Sequence, residues 1–409
     1  MSTPGERLVL ATPSPARGAV GFVPFARGYR PFFALAGIYG AGFIALWLTV
    51  LRGVLPAPAW LDPFLWHGHE MVFGFASAAI AGFLLTASPV WTGVTPVTGR
   101  RLAALAGLWL AGRVAMLAAG VLPNAAVAAV DLVFLPALGV ALAPALLGPG
   151  RRRHGVFLLV LAALTLANVL AHAQALGRGV VDARAVLRGT VELVALLVVV
   201  IGGRITPAFT RNALGPEARV RATPRLDVVA PAAVALAALS GLVAPLAPLR
   251  SAAALVAGAA VLARLVGWQG THARVRRDPL LWGLHMGQLW LGVGLLAAGV
   301  GAVAPGLVPP FVSLHALGAG VIGGMILAVM PRVTLGHGGR PLVALAGTGL
   351  ALGAVHAGAA LRVFGPWLAP SATAGWWLAG GALWSAAFAF FVVRYGPLLL
   401  RPRADGRPG

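Results

Sequence analysis

Histidines with a neighbouring carboxylate are the feature of this sequence that most suggests chemistry. His67 and His69 flank Gly68, and Glu70 follows directly. Imidazole is a ligand for copper, iron, zinc and nickel, and glycine permits backbone angles that could bring the two rings together. A short His-x-His pattern also fits a pair that only forms hydrogen bonds at a membrane interface, so both interpretations stay open.

Single histidines within apolar segments enlarge this set. His285 and His315 lie in long apolar runs, and His337 follows the second of these runs. A lone imidazole in a membrane helix usually joins two helices by a hydrogen bond worth about 0.6–2 kcal/mol. The alternative is a metal or haem ligand. His172 and His356 lie in apolar runs as well, and nothing in their local sequence favours a ligand role.

Other charged residues within apolar runs have simpler interpretations. Arg188 and Glu192 are four residues apart, so they share one helical face and form a neutralising pair, with a proton-pathway carboxylate as the alternative. For Arg113, Asp131 and Arg264 we expect local pairing or side chains that extend towards the membrane surface.

Composition restricts both the solvent and the metal ligands. The chain has 409 residues, of which 59% are hydrophobic and 10% charged, and it contains no cysteine. Soluble domains carry roughly 25% charged residues, so lipid must be part of the solvent of this chain. Without cysteine, disulfides, iron–sulfur clusters and thiolate-bound metals are excluded. A metal must be held by histidine, methionine, carboxylate or backbone oxygen.

Hydropathy predicts an all-α transmembrane bundle of about twelve spans, because a membrane helix needs roughly 20 mainly apolar residues. The predicted spans are 32–51, 70–88, 102–120, 125–147, 155–176, 184–202, 226–246, 251–268, 280–304, 308–331, 341–362 and 374–394. They form a single transmembrane domain over 32–400, with tails at 1–31 and 401–409. The connection at 203–225 divides the spans six and six.

Arginine placement orients the bundle. All 31 basic residues are arginines, and 23 of them fall in the two tails and the even-numbered loops against 5 in the odd-numbered loops. The positive-inside rule therefore predicts cytoplasmic N and C termini. Because the net charge of +21 is explained by these loops, and no aromatic-and-basic module accompanies it, we expect no nucleic-acid partner.

The predicted topology also assigns depths, at about 1.5 Å of rise per helical residue. His315 falls in the same half of the membrane as residues 66–70. His285 lies near the opposite, cytoplasmic face, at nearly the depth of Arg204 and Arg332.

Several long motifs, in order along nearly the whole chain, resemble the NnrS family of bacterial membrane proteins. They are Tyr29-Arg30-Pro31-Phe32-Phe33, residues 66–75 (Trp-His-Gly-His-Glu-Met-Val-Phe-Gly-Phe), 81–87, 91–93, Gly203-Arg204-Ile205-Thr206-Pro207-Ala208-Phe209-Thr210, Leu284-His285-Met286-Gly287 with Trp290, His315-Ala316-Leu317 and residues 330–340.

This resemblance implies a twelve-span protein of the bacterial inner membrane that binds haem, expected to be b-type, and copper. Its expected role is to bind or turn over nitric oxide in nitric oxide metabolism and nitrosative-stress defence. The expected partners are the lipid bilayer, nitric oxide or another small diatomic ligand, and a membrane electron donor. The positions that the resemblance supports are His67, His69, Glu70, Arg204, His285, His315, Arg332 and His337.

Two arrangements of these residues remain open. In the first, His285 holds a haem whose propionates pair with Arg204 and Arg332, while His67, His69 and His315 form a separate copper site. In the second, His69 and His315 are the haem ligands instead. A different class of function, a secondary transporter of a small solute, also suits twelve spans divided six and six.

Overall fold

The computed structural model describes residues 23–148, 150, 154–215, 217–221, 223–241, 244–407 and 409, and over these residues it is helical without a β-strand. Arg7, Arg17 and the arginines at 151–153, which contribute to the predicted orientation, lie outside the described residues. Helices are the expected outcome for so apolar a chain, because only a helix satisfies the backbone polar groups of one segment within lipid.

Sixteen α-helices and two π-helical segments make up the described bundle. They are α1 Tyr29–Leu51, α2 Pro63–His69, π-helical Glu70–Ala76, α3 Ser77–Thr92, α4 Gly99–Leu117, α5 Asn124–Asp131, α6 Phe134–Leu146, α7 Val156–Ala175, α8 Ala183–Leu214, α9 Pro224–Ser240, α10 Ala247–Gly267, α11 Ala273–Arg277, α12 Pro279–Val303, α13 Pro310–His315, π-helical Ala316–Gly323, α14 Gly324–His337, α15 Thr348–Leu368 and α16 Thr373–Leu400.

Ten helices of the described chain are long and apolar enough to cross a membrane. Ten of the twelve predicted spans correspond to these helices. The other two correspond to α4, whose sequence includes three arginines, and to α9, which has 17 residues. The prediction of a multi-pass helical membrane protein is confirmed, and the count of twelve stays a prediction.

Both chain ends lie at one end of the bundle, which we call the terminal end. The Val23 amide donates to the Leu400 carbonyl at 3.1 Å. Buried Arg30 donates to the carbonyls of Leu399, at 2.8 Å, and Arg401, at 2.6 Å. Val23, the first described residue, and the end of α16 therefore lie on the same side of the bundle, and an even number of crossings stays a prediction.

Helix α4 connects the terminal end with the opposite end, which we call the distal end. At its start the Gly99 amide donates to the Phe25 carbonyl at 2.8 Å, and just past its end the Ala119 carbonyl accepts from the Ala59 amide at 3.0 Å. These contacts show that α4 runs from one end of the described bundle to the other, as the neighbouring spans do. Its arginines lower its hydropathy below that of those spans.

Helix α8 is longer than the predicted span 184–202 and continues to Leu214. Arg204 therefore lies on the helix rather than in the predicted connection 203–225. Pro207 lies inside this helix and does not end it.

Two π-helical segments interrupt the spans, and each begins directly after a histidine. Glu70–Ala76 follows His69, and Ala316–Gly323 follows His315. A single π-helical turn inside an α-helix redirects the side chains that follow it and occurs often at functional sites. The two interruptions therefore mark the places where the histidine-bearing helices depart from regular geometry.

A membrane-impermeant thiol reagent tests the twelve-span arrangement, because the chain has no cysteine of its own. Val54→Cys and Val121→Cys place single exposed thiols in two loops of the distal end. Both are expected to react in intact cells, whereas Glu217→Cys reacts only after the membrane is opened. Labelling of Val54→Cys without Val121→Cys would show that α4 does not cross, and the reverse pattern at all three sites would overturn the orientation.

Candidate metal and haem site

A cavity of about 340 Å³ near the distal end brings together two of the candidate histidines, His67 and His315. Met71, from the first π-helical segment, also lines it. Most of its remaining wall is aliphatic and aromatic, and its arginines are Arg184, Arg188 and Arg362. We call this space the histidine cavity.

His315 is held in the tautomer that suits a metal ligand. Its Nδ1 lies 2.9 Å from the Phe311 carbonyl oxygen, one turn earlier. Because a carbonyl only accepts, Nδ1 carries the proton and donates it, and Nε2 keeps its lone pair. A metal-binding histidine is typically oriented in this way, with its second ring nitrogen donating to a carbonyl.

His67 is positioned by aromatic packing. Its ring stacks on the Trp47 indole with centroids 4.5 Å apart and an interplanar angle of 11°, and Phe43 lies parallel at 6.0 Å. Its Nδ1 is buried without a hydrogen-bond partner. A buried polar atom without a partner is unusual and indicates a site for water, an ion or a ligand.

His69 points away from the histidine cavity, because residues two apart on a helix face different directions. Its Nδ1 lies 2.9 Å from Glu70 Oε1, and its Nε2 lies 2.8 Å from Asn168 Oδ1. The three-histidine copper site and the His69–His315 haem site, which the sequence left open, are therefore not assembled in this structure. The imidazoles of His67 and His315 share one site, and His69 belongs to another.

That second site is a hydrogen-bonded cluster inside the bundle, the buried polar network. Its members come from five helices and one π-helical segment. They are Tyr39, His69, Glu70, Arg113, Asp131, Asn168 and His172. With the exception of half-buried Tyr39, these residues are almost wholly removed from solvent.

Arg113 is the central cation of the network. Its guanidinium bridges the carboxylates of Glu70 and Asp131, and the Tyr39 hydroxyl donates to Glu70 as well. Two carboxylates against one guanidinium leave one negative charge. His69 neutralises it when both of its ring nitrogens are protonated, since both face acceptor oxygens.

The remaining hydrogen bonds determine which way each donor points. Asn168 Nδ2 donates to Asp131 Oδ2 at 2.8 Å, so its Oδ1 is the acceptor for His69. His172 Nε2 donates to the same Asp131 oxygen at 3.0 Å, and its Nδ1 accepts from Trp60 Nε1 at 3.3 Å. His172 is thus neutral, and the network is a nearly complete set of donors and acceptors.

Within this network, His69, Asp131 and His172 form a group that could hold a metal ion. One ligand atom of each lies within 4.8 Å of the others. The hydrogen bonds compete with such an ion, because the Trp60 donor keeps the proton of His172 on the nitrogen that faces Asp131. Metal binding here requires the loss of protons and of contacts that the bundle already uses.

The predicted haem site around His285 is tightly packed. His285 Nε2 lies 2.9 Å from Thr210 Oγ1, and its Nδ1 is buried without a partner. The Arg332 guanidinium lies over the Phe209 ring, 3.9 Å from its centroid, and Arg204 is exposed. The structure brings His285 and Arg332 to the same end of α8, where they contact Thr210 and Phe209.

His337 lies apart from His285, at the terminal end. Its ring is 5.8 Å from that of Tyr29, and its carbonyl accepts from Arg403 at 2.9 Å. It lines a different cavity together with Arg27 and Arg403. Arg403 also holds the pKa of exposed Asp405 at about 2 through their hydrogen bond. The surroundings of His337 are those of a contact between the two chain ends.

The sequence analysis did not identify Met71, Asn168 or Trp60 as contributors to these sites. Met71 follows Glu70 directly, and a thioether near two imidazoles was a detectable signal. Asn168 and Trp60 gave none, because their partners are distant in the chain. Arg362 is one of the five arginines counted above in the odd-numbered loops, and the structure places it in the wall of the histidine cavity.

The apolar helices and the buried polar side chains between them define a multi-pass membrane protein. The family model described as NnrS protein matches residues 23–403. The match covers nearly the whole chain, and the chain belongs to the NnrS family. No curated protein matches the chain.

Removal of the central cation tests the buried polar network. Arg113→Met leaves Glu70 and Asp131 without their shared guanidinium, and loss of one member of a buried ion pair typically costs about 3–5 kcal/mol. Thermal unfolding in detergent is expected at a clearly lower temperature. The double variant Arg113→Met/Asp131→Asn should recover part of the lost unfolding temperature, because one of the two unpaired carboxylates has been removed.

The matched control for this test is Arg184→Gln. Arg184 pairs with Asp62 at 2.5 Å, but its side chain is 66% exposed. An exposed pair contributes little. Equal destabilisation by Arg113→Met and Arg184→Gln would contradict a structural role for the network.

Proposed function

We propose that this protein binds haem in the histidine cavity, with His315 and His67 as the iron-ligand candidates, and that it binds or turns over nitric oxide. The observation that carries the proposal is the His315 side chain, whose Nε2 has a lone pair and whose ring lines a mainly apolar cavity that His67 also lines. Membership in the NnrS family supports a role in the response to nitric oxide.

The residues of the cavity fit a haem. Either imidazole would hold its iron, and the aromatic and aliphatic walls suit a porphyrin. The absence of cysteine excludes thioether attachment, so the haem is held without covalent bonds, as in b-type proteins. When bound, haem would supply a redox-active iron, and nitric oxide could bind that iron only if His67 and His315 do not both hold it.

The protein's own residues have separate tasks in this proposal. The Phe311 carbonyl holds the His315 ring in its ligating tautomer, and Trp47 holds the His67 ring by stacking. The mainly apolar wall beside the two rings suits a small neutral ligand. The location proposed is the bacterial inner membrane, with a membrane electron donor supplying the reducing equivalents.

Copper is the second metal of the proposal. Its candidate ligands are His69, Asp131 and His172, at the cost of hydrogen bonds in the buried polar network. Met71 offers a thioether in the histidine cavity, which a copper ion also accepts. Iron and copper analysis of the same variants separates these two locations.

The experiment is a visible spectrum of the detergent-purified protein, with and without nitric oxide, together with iron and copper content. We expect a haem spectrum that changes on addition of nitric oxide in the wild type. His315→Ala is expected to lose most of its haem, because its ring is the one in a ligating tautomer, and His67→Ala to alter the spectrum. Copper lost in His172→Ala but kept in His67→Ala would place that ion in the network.

His356→Ala is the matched control, because this imidazole is also buried in an apolar helix but does not line the cavity. It should keep its haem. A colourless wild-type protein without iron would overturn the proposal and favour a transporter. If the wild type is red and only His285→Ala loses the colour, the haem lies at the contact between α8 and α12 instead.

A further inference from the structure

The wall of the histidine cavity contains a cation without a counter-charge. Arg362, near the end of α15, is half-buried and lines the cavity. Among the described residues, no carboxylate forms an ion pair with it. Two carboxylates of the surrounding helices already have partners, since Asp62 pairs with Arg184 and Glu192 with Arg250, each at 2.5 Å.

Packing holds the Arg362 guanidinium at the cavity instead of an ion pair. Its central carbon lies 5.0 Å from the centroid of the Trp377 ring, in a cation–π contact. Trp377 comes from α16 and lines the same cavity, and its Nε1–H is buried without an acceptor. Two donors of one wall, a guanidinium and an indole N–H, therefore lack an acceptor.

Arg362 lines the same cavity as both candidate histidines, His67 and His315. A cation placed beside two imidazoles in an apolar wall is costly unless an anion joins it. Arginine binds carboxylates and other oxyanions through paired, charge-assisted hydrogen bonds.

We propose that Arg362 and the Trp377 N–H form a subsite for a carboxylate or another oxyanion, next to the group held by His67 and His315. This inference rests on the proposed function for the identity of that neighbouring group. The anion has two sources with the same chemistry: a propionate of the bound haem, or a free oxyanion such as nitrite that enters beside the metal.

Arg362→Gln tests the subsite, because it removes the charge and keeps a similar length. With a propionate as the ligand, haem retention against an acceptor protein is expected to fall by about tenfold to a hundredfold. Apo-Arg362→Gln is expected to unfold at a higher temperature than apo-wild type, since an uncompensated charge has been removed. If Arg362 had only a structural role, Arg362→Gln would lower both the haem retention and the unfolding temperature of the apo-protein.

Two further variants sharpen the test. Trp377→Phe keeps the ring and removes the N–H, so its effect on haem retention should have the same direction and be smaller. Arg184→Gln is the matched control, because this arginine lines the same cavity but is already paired with Asp62. It should retain haem as the wild type does.

Haem dimethyl ester, whose propionates are neutral, identifies the source of the anion. A propionate contact predicts that the ester binds the wild type weakly and that Arg362→Gln weakens it no further. A free oxyanion predicts that the ester binds as haem does, and that nitrite raises the unfolding temperature of the apo-wild type but not of apo-Arg362→Gln at equal ionic strength. The nitrite measurement needs no haem, so it still tests the subsite if the proposed function fails.

The inference is overturned if Arg362→Gln matches both the wild type and Arg184→Gln in haem retention, in nitrite response and in apo stability. A haem-loaded protein with that result would leave the proposed function standing.

Discussion

The guanidinium of Arg113, held between Glu70 and Asp131, is the interaction on which the rest of the described site depends. Two carboxylates within an apolar bundle are tolerable only when cations and donors surround them. Arg113 of α4 joins the first π-helical segment and α5, and a doubly protonated His69, from the turn that also carries His67, completes the neutralisation. Because His69 is committed to this network, the helix has to present His67 on its other side, where the histidine cavity lies.

The buried polar network therefore lies beside the histidine cavity, and the two differ in how completely their hydrogen-bonding groups are paired. In the network, nearly every donor has an acceptor. In the cavity, His67 Nδ1 and the Trp377 N–H lack acceptors, and Arg362 lacks a carboxylate. Unpaired groups that are buried in an otherwise well-packed bundle point to a ligand, whereas a complete network points to a supporting structure. Because His285 Nδ1 and both ring nitrogens of His356 also lack a partner among the described residues, the proposal of a ligand at the histidine cavity rests as well on the space beside His67 and His315.

Sequence reasoning located the helices well, because hydropathy and arginine placement are recorded locally along the chain. It placed His67 and His315 together in one predicted copper site; both line the histidine cavity, and the metal stays a prediction. It could not separate His69 from them, since Gly68 left the backbone direction open and the π-helical segments have no simple sequence signal. Nor could it pair Arg113 with Asp131, because such partners meet only when separate helices pack. We expected Arg113 to pair locally or to extend towards the membrane surface, but it pairs with Glu70 and Asp131 of two other segments.

Pulsed electron paramagnetic resonance of protein labelled with nitrogen-15 histidine measures the central claim most directly, by counting the imidazole nitrogens bound to the metal. The account predicts that a coordinated nitrogen is lost in His315→Gln and retained in His285→Gln, where the imidazole contacts Thr210. An unchanged count in His315→Gln, with a loss in His285→Gln, would contradict the assignment of the metal to the histidine cavity.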